Sequence, residues 1–418
     1  MNFSEATQYL LSLGNEVEAM KLGLENITTL LAALGEPQKN YVKVQVAGTN
    51  GKGSVCAFLD SICREAGIKT GLYTSPHLVS ITERVRLNGE DISEQEFARL
   101  GTVVRQTSEK LVADGQLGYI PTFFEQMTAI GLLAFAEASV ELAILETGLG
   151  GRYDAVTAAN AEIAAITQIA LDHQEYLGET IEEIAAEKAA IINVNTRSVI
   201  VGEQKHEQAM QVILDRCQAF GIVPSVFDMT VLSELISEPG LSGRHQRSNS
   251  ETAVLVIQSL KDNYFNILPE NIGVGLKKAK HPGRLEFQGK FLFDGAHNTA
   301  GAEALREYLD EFAVGPITLI FGAMKEKDVA QIADILFPKA ENIIFTQPKN
   351  SRAMSVEKLA DFLPEKFDRD KAYMSEDAAS AINTARRIVS ENGIILVTGS
   401  LYLVGEVKKL LNNQNRDR

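Results

Sequence analysis

The sequence has few cysteines, no tryptophan and no long apolar run. Three cysteines in 418 residues, an odd number, argue against a disulfide framework. Cys56 and Cys63 lie on one predicted helix with their Cα atoms about 10 Å apart, beyond disulfide reach, so we expect core thiols. No apolar run is long enough to cross a bilayer, and the first residues, MNFSEATQYL, contain no basic region that leads into an apolar one. These absences predict a cytoplasmic protein that does not act on a membrane.

Basic residues are also in the minority. Asp and Glu number 55 against 40 Lys and Arg, which gives a formal net charge of −15. Affinity for nucleic acids comes mainly from clustered Lys and Arg, so this charge argues against a nucleic-acid partner but allows a small anion in a local pocket. The hydrophobic content of 45% is typical of a globular protein. The length exceeds what one core usually supports, so we expect two domains, with room for a third.

Residues 44–54, VQVAGTNGKGS, carry the clearest chemical signal. An apolar strand pattern runs into a turn with three glycines and then into a helical pattern. Glycines let backbone N–H groups approach an anion, the helix N-terminus adds positive charge, Lys52 can reach the outer phosphates of a nucleotide, and the Ser54 hydroxyl can bind Mg²⁺. Gly53 separates Lys52 from Ser54, unlike the common phosphate loop, so a tight strand-to-helix turn is the alternative. The flanking strand and helix and the serine hydroxyl favour nucleotide binding.

Strand and helix patterns alternate along the rest of the chain. Helices are predicted over residues 4–34, 55–66, 94–113, 123–139, 180–192, 205–219, 248–260, 301–312 and 328–336, and strands over 41–46, 71–74, 141–145, 162–167, 198–201, 291–293, 317–321, 342–345 and 394–397, with one near Val223 and two more helices towards the end. A turn-rich segment, His281-Pro282-Gly283-Arg284, interrupts this alternation. The pattern predicts an α/β fold with two doubly wound domains of mostly parallel sheet, residues 1–284 and 285–418, the second smaller and Rossmann-like.

Polar residues follow several of the predicted strands. Because ligands gather at the carboxyl ends of parallel strands, Glu146 and the pair Asp172-His173 are candidate ligand-binding residues. Ser75-Pro76-His77 would suit a second catalytic loop, and a simple proline turn is the alternative. Glu125 lies in a capping-box pattern that begins at Thr122, and that role competes with any chemical one.

Lys188 is predicted to lie on an apolar helix face. The helix over 180–192 places Ile184, Ala185 and Ile191 on the same stripe as this lysine. A lysine in such a position either extends its amine along the apolar surface to solvent or is a desolvated amine that is open to modification. The helical pattern by itself allows both.

Together these motifs resemble one family: folylpolyglutamate synthase and its bifunctional bacterial form, dihydrofolate synthase/folylpolyglutamate synthase, within the Mur ligase superfamily. A loop with glycine between its lysine and serine is the form that this superfamily uses. The motifs that match in order and spacing over essentially the whole chain are Gly48-Thr-Asn-Gly-Lys-Gly-Ser54, Ser75-Pro-His77, Glu146-Thr-Gly-Leu-Gly-Gly-Arg152, Leu171-Asp-His173, Glu187-Lys188-Ala189, His281-Pro-Gly-Arg284 and Asp294-Gly-Ala-His-Asn298. Each motif alone is weak, and their combination is specific.

The resemblance implies an ATP-dependent P-loop ligase with a divalent metal. It implies nucleotide contacts at Asn50, Gly51, Lys52, Gly53, Ser54, Asn249, Arg284 and Asp294, and Mg²⁺ ligands at Ser54, Ser75, Glu146 and His173. Contacts to the pterin side of the substrate are implied at Thr122, Phe124, Glu125, Arg152, Asp154 and Ala155, although Val156 and Thr157 stand where the family usually has Thr and Asn. The implied catalytic residues are Lys52, Lys188, which matches the family's carbamylated lysine, and His297 and Lys327, which would steady the intermediate.

The implied reaction adds L-glutamate to reduced folates and, in the bifunctional form, to dihydropteroate. ATP activates the acid as an acyl phosphate, the amine of glutamate attacks it, and ADP and phosphate leave. We expect a monomer whose partners are these small molecules. The alternatives are another Mur-type amino-acid ligase and an ATP-switched binding module.

Overall fold

Two β-sheets organise the chain, each in its own structural unit. The computed structural model describes residues 1–14, 23–226 and 239–416. Unit 1 comprises Met1–Gly240 and Ser248–Lys280, and unit 2 comprises Leu241–Arg247 and His281–Arg418. The expected α/β architecture with two domains is therefore confirmed.

Unit 1 contains an eight-stranded sheet and most of the helices. Its strands are β1 Val42–Ala47, β2 Thr70–Tyr73, β3 Val85–Leu87, β4 Glu90–Asp91, β5 Leu142–Glu146, β6 Ile163–Ile166, β7 Ser198–Val201 and β8 Ser225–Val226. Its helices are α1 Phe3–Ser12, α2 Glu25–Ala33, α3 Lys52–Glu65, α4 Glu94–Ala113, α5 Phe123–Glu137, α6 Gln174–Leu177, α7 Ile181–Ala189, α8 Glu207–Ala219, most of α9 His245–Asn263, and α10 Pro269–Lys278.

The strand order in unit 1 is β4-β3-β2-β5-β1-β6-β7-β8. The strands from β2 to β8 in that order are parallel, and β3 and β4 form an antiparallel edge. The central strand β1 pairs with β5 and β6, and its Val46 lies opposite Glu146 on one side and Ala165 on the other. The loops that follow β1, β5 and β6 therefore leave the sheet side by side at its carboxyl edge.

Among the described residues, two buried apolar clusters pack several helices of unit 1 against this sheet. One includes Phe97 of α4 and Ile130 of α5 together with Leu145 of β5. The other includes Ile184 of α7 and Ile213 of α8 together with strand residues of β6. Cys56, Cys63 and Cys217 are free and buried, as expected of core thiols.

Unit 2 is built on a six-stranded sheet. Its strands are β9 Glu286–Gln288, β10 Phe291–Phe293, β11 Ile317–Phe321, β12 Ala340–Thr346, β13 Ala372–Ser375 and β14 Ile394–Thr398, and its helices are α11 Thr299–Phe312, α12 Val329–Leu336, α13 Val356–Ala360, α14 Ala378–Ile388 and α15 Leu401–Arg416. The order is β13-β12-β11-β14-β10-β9, and only β9 pairs antiparallel with its neighbour. This sheet also confirms the predicted mostly parallel arrangement.

Several elements differ from the sequence-based prediction. The helix expected over residues 4–34 is two helices, α1 and α2, and its positions Val17 and Met20 lie outside the described residues. Four short strands at or next to the sheet edges (β3, β4, β9 and β13) and three helices (α6, α10 and one near the end of the chain) were not predicted. Strands of two to four residues are too short to show a period of two, although the β3–β4 hairpin has an Asn88-Gly89 turn with both residues at positive φ. Among the described residues, no helix is long and apolar enough to span a bilayer.

Candidate active site

The loop between β1 and α3 is built around two glycines. Gly48 has a φ of 149° and Gly51 a φ of 93°, values that residues with a side chain rarely adopt. A Cβ on Gly48 would collide with Thr167 Oγ1, and a Cβ on Gly51 would collide with Asn249 Oδ1. Glycine is therefore required by conformation and by space. The structure brings Asn249 directly against this loop, about 200 residues away in the chain.

Helix α3 begins at this loop with its N-terminus open. Its N-cap is Gly51, and no side chain in the described part of the chain caps it. Lys52 Nζ donates hydrogen bonds to Gly48 O at 2.9 Å and Thr49 O at 3.1 Å, and Ser54 is buried in the first turn. The helix terminus and a lysine amine thus converge on one short loop. A phosphate group would be a stronger acceptor for both than a backbone carbonyl.

The segment after β6 is bonded to the same loop. Thr49 N donates to Gln168 O at 2.9 Å, and the Thr49 hydroxyl donates to Ala170 O at 3.0 Å. The segment continues to His173, which has a φ of 53°, and whose backbone N–H donates to Asp172 Oδ1 at 2.9 Å. His173 Nε2 is 3.9 Å from Asp172 Oδ2. The backbone of this segment therefore fixes His173 relative to the glycine loop.

Two of the four expected metal ligands touch each other. Glu146 is the last residue of β5 and is buried, and its Oε2 accepts the backbone N–H of Ser75 at 3.1 Å. Within the described residues no group of three His, Cys, Asp or Glu side chains is placed to hold a metal. The expected set instead combines the hydroxyls of Ser54 and Ser75 with one carboxylate and one imidazole. Oxygen donors of this kind suit Mg²⁺ or Mn²⁺, particularly when nucleotide phosphates supply the remaining ligands.

Lys188 lies inside the protein, next to the glycine loop. The residue is buried, and its Nζ donates to Gly48 O at 2.9 Å. This is the same carbonyl oxygen that Lys52 Nζ contacts. The amine of Lys188 does not extend to solvent, so the snorkelling alternative does not describe it. Two amines share one acceptor, an arrangement that is unfavourable when both carry a positive charge.

Both carboxylate oxygens of Asp154 accept hydrogen bonds from the backbone. Its Oδ2 accepts the N–H groups of Gly148 and Leu149, each at 2.9 Å, and its Oδ1 accepts the N–H of Val156 at 3.0 Å. Burial raises the pKa of Asp154 to about 6, whereas these N–H groups and the charge of Lys52 oppose the shift. The carboxylate therefore holds the loop that follows Glu146. Ala155, beside it, begins a short 3₁₀ helix.

The other expected substrate residues also have structural partners. Thr122 and Glu125 form a complete capping box, with Thr122 N donating to Glu125 Oε2 at 2.8 Å and Glu125 N donating to Thr122 Oγ1 at 3.3 Å. The ring of Phe124 packs so closely on Gly148 that a Cβ there would lie 2.6 Å from it. Arg152 Nε forms an ion pair with Glu187 Oε1 at 2.7 Å. The structure thus brings Phe124 and Asp154 together at Gly148 and places Arg152 against the helix of Lys188.

Sequence reasoning missed Glu83 and Arg84, which contact the Ser75-Pro76-His77 loop and the residues directly after it. Arg84 Nε donates to His77 Nδ1 at 2.8 Å, and Arg84 is almost fully buried at 2% exposure. Burial, and after it the charge of Arg84, lowers the pKa of His77 to about 3. The sequence did contain one signal, the capping-box pattern from Ser80 to Glu83, which the structure forms.

In unit 2 the corresponding edge contains Arg284, Asp294 and His297. Asp294 follows β10, and its carboxylate accepts the N–H groups of Leu285 at 3.0 Å and Ala296 at 2.9 Å. Burial raises the pKa of Asp294, and the charge of Arg284 opposes that shift. His297 Nδ1 lies 2.8 Å from Gly295 O. Lys327 follows the parallel strand β11, so its backbone lies beyond the same carboxyl edge of the sheet.

Comparison with known proteins finds a family match within each unit. Residues 46–218 match the Mur ligase middle domain, and residues 283–401 match the Mur ligase glutamate ligase domain. The sequence is 36% identical to the dihydrofolate synthase/folylpolyglutamate synthase of Bacillus subtilis (strain 168), over 94% of this chain and 95% of that protein.

Two solved structures show the same fold. Mycobacterium tuberculosis folylpolyglutamate synthase complexed with ADP is 29% identical and has a TM-score of 0.89, with 98% of each chain covered. The bifunctional folylpolyglutamate synthase/dihydrofolate synthase of Yersinia pestis, complexed with AMPPNP and Mn ion, is 28% identical and has a TM-score of 0.84, with 99% of this chain and 98% of that chain covered. With its two Mur ligase domains and these relatives, the chain belongs to the folylpolyglutamate synthase/dihydrofolate synthase family of Mur ligases.

Proposed function

We propose that this chain is an ATP-dependent ligase that adds L-glutamate to reduced folates and to dihydropteroate. The observation that carries the proposal is the open N-terminus of α3, with Lys52 beside it and Glu146 at the end of a strand that adjoins β1. A carboxylate oxygen of the pterin acid attacks the γ-phosphorus of ATP, and ADP leaves. The amine of glutamate then attacks the acyl carbon, loses a proton and displaces phosphate.

The residues of unit 1 bind and orient the phosphates in this reaction. The backbone N–H groups from Asn50 to Ser54 would bind them, and Lys52 Nζ would exchange its two carbonyl acceptors for γ-phosphoryl oxygens. Asn249, which touches Gly51, would contact the nucleotide. Glu146 and His173, with the hydroxyls of Ser54 and Ser75, would hold Mg²⁺, which neutralises charge on the transferred phosphoryl group. The Mn ion and AMPPNP named for the Yersinia pestis relative support this assignment.

Lys188 is proposed to be carbamylated. Its neutral amine would attack CO₂, forming an N–C bond and losing a proton, so that an anionic carbamate replaces the amine. The shared contact of Lys52 and Lys188 with Gly48 O supports this, because a carbamate would attract the Lys52 ammonium where an ammonium repels it. Lys188→Ala should be folded and nearly inactive, and short carboxylic acids should restore part of the activity. A Lys188 that carries no CO₂ adduct by intact-protein mass spectrometry under CO₂-retaining conditions would count against the modification.

The pterin side of the substrate is proposed to bind near Thr122, Phe124, Glu125, Arg152, Asp154 and Ala155. The contacts between Phe124, Gly148 and Asp154 support a common site on the loop after β5. In unit 2, Arg284 and Asp294 are proposed to contact the nucleotide, and His297 and Lys327 to steady the acyl phosphate. Residues 1–284 would then bind ATP and folate, and residues 285–418 would serve the ligation of glutamate. We also propose a cytoplasmic monomer, which suits three unpaired thiols and ATP as substrate.

A coupled assay tests this function. ADP release should require both L-glutamate and a pterin acid, and mass spectrometry should find the pterin acid extended by one glutamate. Dihydropteroate and tetrahydrofolate tested separately distinguish a bifunctional enzyme from a monofunctional one. ATP hydrolysis without either substrate would favour a nucleotide switch, and product with a nucleotide sugar instead of a pterin acid would favour another Mur-type ligase.

A further inference from the structure

Glu83 binds three consecutive backbone groups of the segment that follows His77. Its Oε2 accepts the N–H of Leu78 at 2.8 Å, and its Oε1 accepts the N–H groups of Val79 at 2.9 Å and Ser80 at 2.7 Å. Two carboxylate oxygens with three N–H donors leave this stretch of backbone little freedom. The carboxylate therefore fixes the chain directly after the Ser75-Pro76-His77 loop.

Arg84 contacts the Ser75-Pro76-His77 loop itself. Its Nε donates to His77 Nδ1 at 2.8 Å, its guanidinium lies over the ring of Phe123 with 5.3 Å to the centroid, and its backbone O accepts the N–H of Thr74 at 3.1 Å. Because Nδ1 is the acceptor, the proton of the neutral imidazole is on Nε2. Arg84 thus contacts the chain on both sides of Ser75.

The loop that Arg84 contacts also includes Ser75, which is bonded to Glu146. The Ser75 N–H donates to Glu146 Oε2 at 3.1 Å, so a shift of the loop would also move Ser75 relative to that carboxylate. A turn on its own does not require a guanidinium that is 2% exposed, since burying a charge is unfavourable unless its contacts compensate for it. We infer that Glu83 and Arg84 are positioning residues that hold Ser75 at the metal site, Arg84 acting through His77. This inference rests on the proposed role of Ser75 as a metal ligand.

The test compares Arg84→Met with Arg86→Met. Arg86 lies two residues further on, and its Nε forms an ion pair with the more exposed Asp91 at 2.7 Å. Arg84→Met should raise the Mg²⁺ concentration for half-maximal activity by about tenfold to a hundredfold, the range for residues that orient metal ligands. The KM for glutamate should change little, and Arg86→Met should leave both values unchanged. Loss of the Arg84 effect in a His77→Ala background would support the route through His77.

A second readout needs neither metal nor turnover. The ¹⁵N shifts of the His77 ring in the metal-free protein should report an Nε2–H tautomer, and Arg84→Met should weaken that preference while Arg86→Met does not. If Arg84→Met does not fold, Glu83→Gln replaces it, with faster amide exchange at residues 78–80 and a raised Mg²⁺ requirement as the expected results.

Ser75→Ala separates the inference from the assignment on which it rests. If Ser75→Ala raises the Mg²⁺ requirement and folded Arg84→Met does not, the positioning role is wrong and the metal assignment stands. An undiminished Arg84 effect without His77 would also overturn the route. If Ser75→Ala leaves the requirement unchanged, both the metal assignment of Ser75 and the positioning role fail.

Discussion

The two units differ in how a helix begins at the carboxyl edge of the sheet. In unit 1, α3 follows β1 and its N-cap is Gly51, and none of the described side chains caps it. In unit 2, α11 follows β10 and its N-cap is Asn298, whose Oδ1 accepts the N–H of Gly301 at 2.8 Å. The start of one helix therefore has no side-chain cap among the described residues, and the start of the other bonds one of its N–H groups to its own N-cap.

This difference in helix starts matches the different groups that the two units are proposed to use for binding. A phosphate needs backbone donors and a nearby cation, which the glycine loop and Lys52 supply in unit 1. In unit 2 the buried Asp294 carboxylate accepts two N–H groups of its own chain. The groups that unit 2 is proposed to offer at its edge are side chains, those of Arg284, Asp294, His297 and Lys327. The proposed phosphate site thus uses the backbone of the unit 1 loop, whereas unit 2 is proposed to contribute side chains.

The largest effect is expected for Lys52→Ala. Losing a positioned charge on the transferred phosphoryl group should lower turnover by on the order of 10²–10³. Stability should change little, because Lys52 Nζ donates to backbone carbonyls of the loop itself and not to the apolar core. Turnover and thermal unfolding measure the two quantities, with Lys110→Ala on α4 as the control. Near-normal turnover of the folded variant would contradict a phosphate site at the glycine loop, and with it the proposed difference between the units.

Glu146→Gln and His173→Ala should each raise the Mg²⁺ requirement. Each change removes a proposed metal ligand and keeps the surrounding strand ends, so the Mg²⁺ concentration for half-maximal activity should rise by about tenfold or more. Titration of activity with Mg²⁺ at saturating ATP measures the effect. If neither variant shows it, these strand-end residues are structural and the metal site lies elsewhere.

The sequence predicted the parts of this site that depend on local patterns. The glycine loop and the strand that ends at Glu146 are visible as short motifs next to apolar runs. Lys188 was placed on an apolar face by helical periodicity, and it is buried. The contact of Gly51 with Asn249, however, joins distant parts of the chain, and no local pattern encodes it. Arg84 escaped notice because a charged residue is normally exposed, and only the packing around it shows otherwise.

Asp154→Asn should change how stability depends on pH. Burial raises the pKa of Asp154 to about 6, whereas an unfolded aspartate titrates near pH 4. The folded state therefore binds more protons between these values, and the contribution of Asp154 to the free energy of unfolding falls as the pH rises from about 4 to about 6. Asn does not titrate, so the variant should gain up to about 3 kcal/mol relative to the parent across this window.

Denaturant unfolding at pH 4 and pH 7 measures this shift. Asp294→Asn in unit 2 should change in the same direction, because burial also raises the pKa of Asp294. Asp91→Asn, at a surface position, is the control. A constant difference between Asp154→Asn and the parent at the two pH values would show that the pKa of Asp154 is the same in the folded and unfolded protein, so that its three N–H donors offset its burial.

The smallest effects are expected from two helix caps, one in each unit. Glu125→Ala opens the capping box of α5 in unit 1, and Asn298→Ala removes the cap of α11 in unit 2. Each should lower the free energy of unfolding by about 0.5–2 kcal/mol. Thermal and denaturant unfolding measure the loss, and turnover is measured per folded molecule.

The two caps differ in what turnover should show. Glu125 is proposed to lie at the pterin site, so its removal should raise the KM for the pterin acid as well as lower stability. Asn298 has no proposed substrate contact, so Asn298→Ala should leave that KM unchanged. If Glu125→Ala lowers only stability, its carboxylate is a cap and nothing more, as the Thr122 contacts already allow. If Asn298→Ala instead strengthens nucleotide binding, the newly uncapped α11 would be an anion site, and the contrast between the two helix starts would depend on that one side chain.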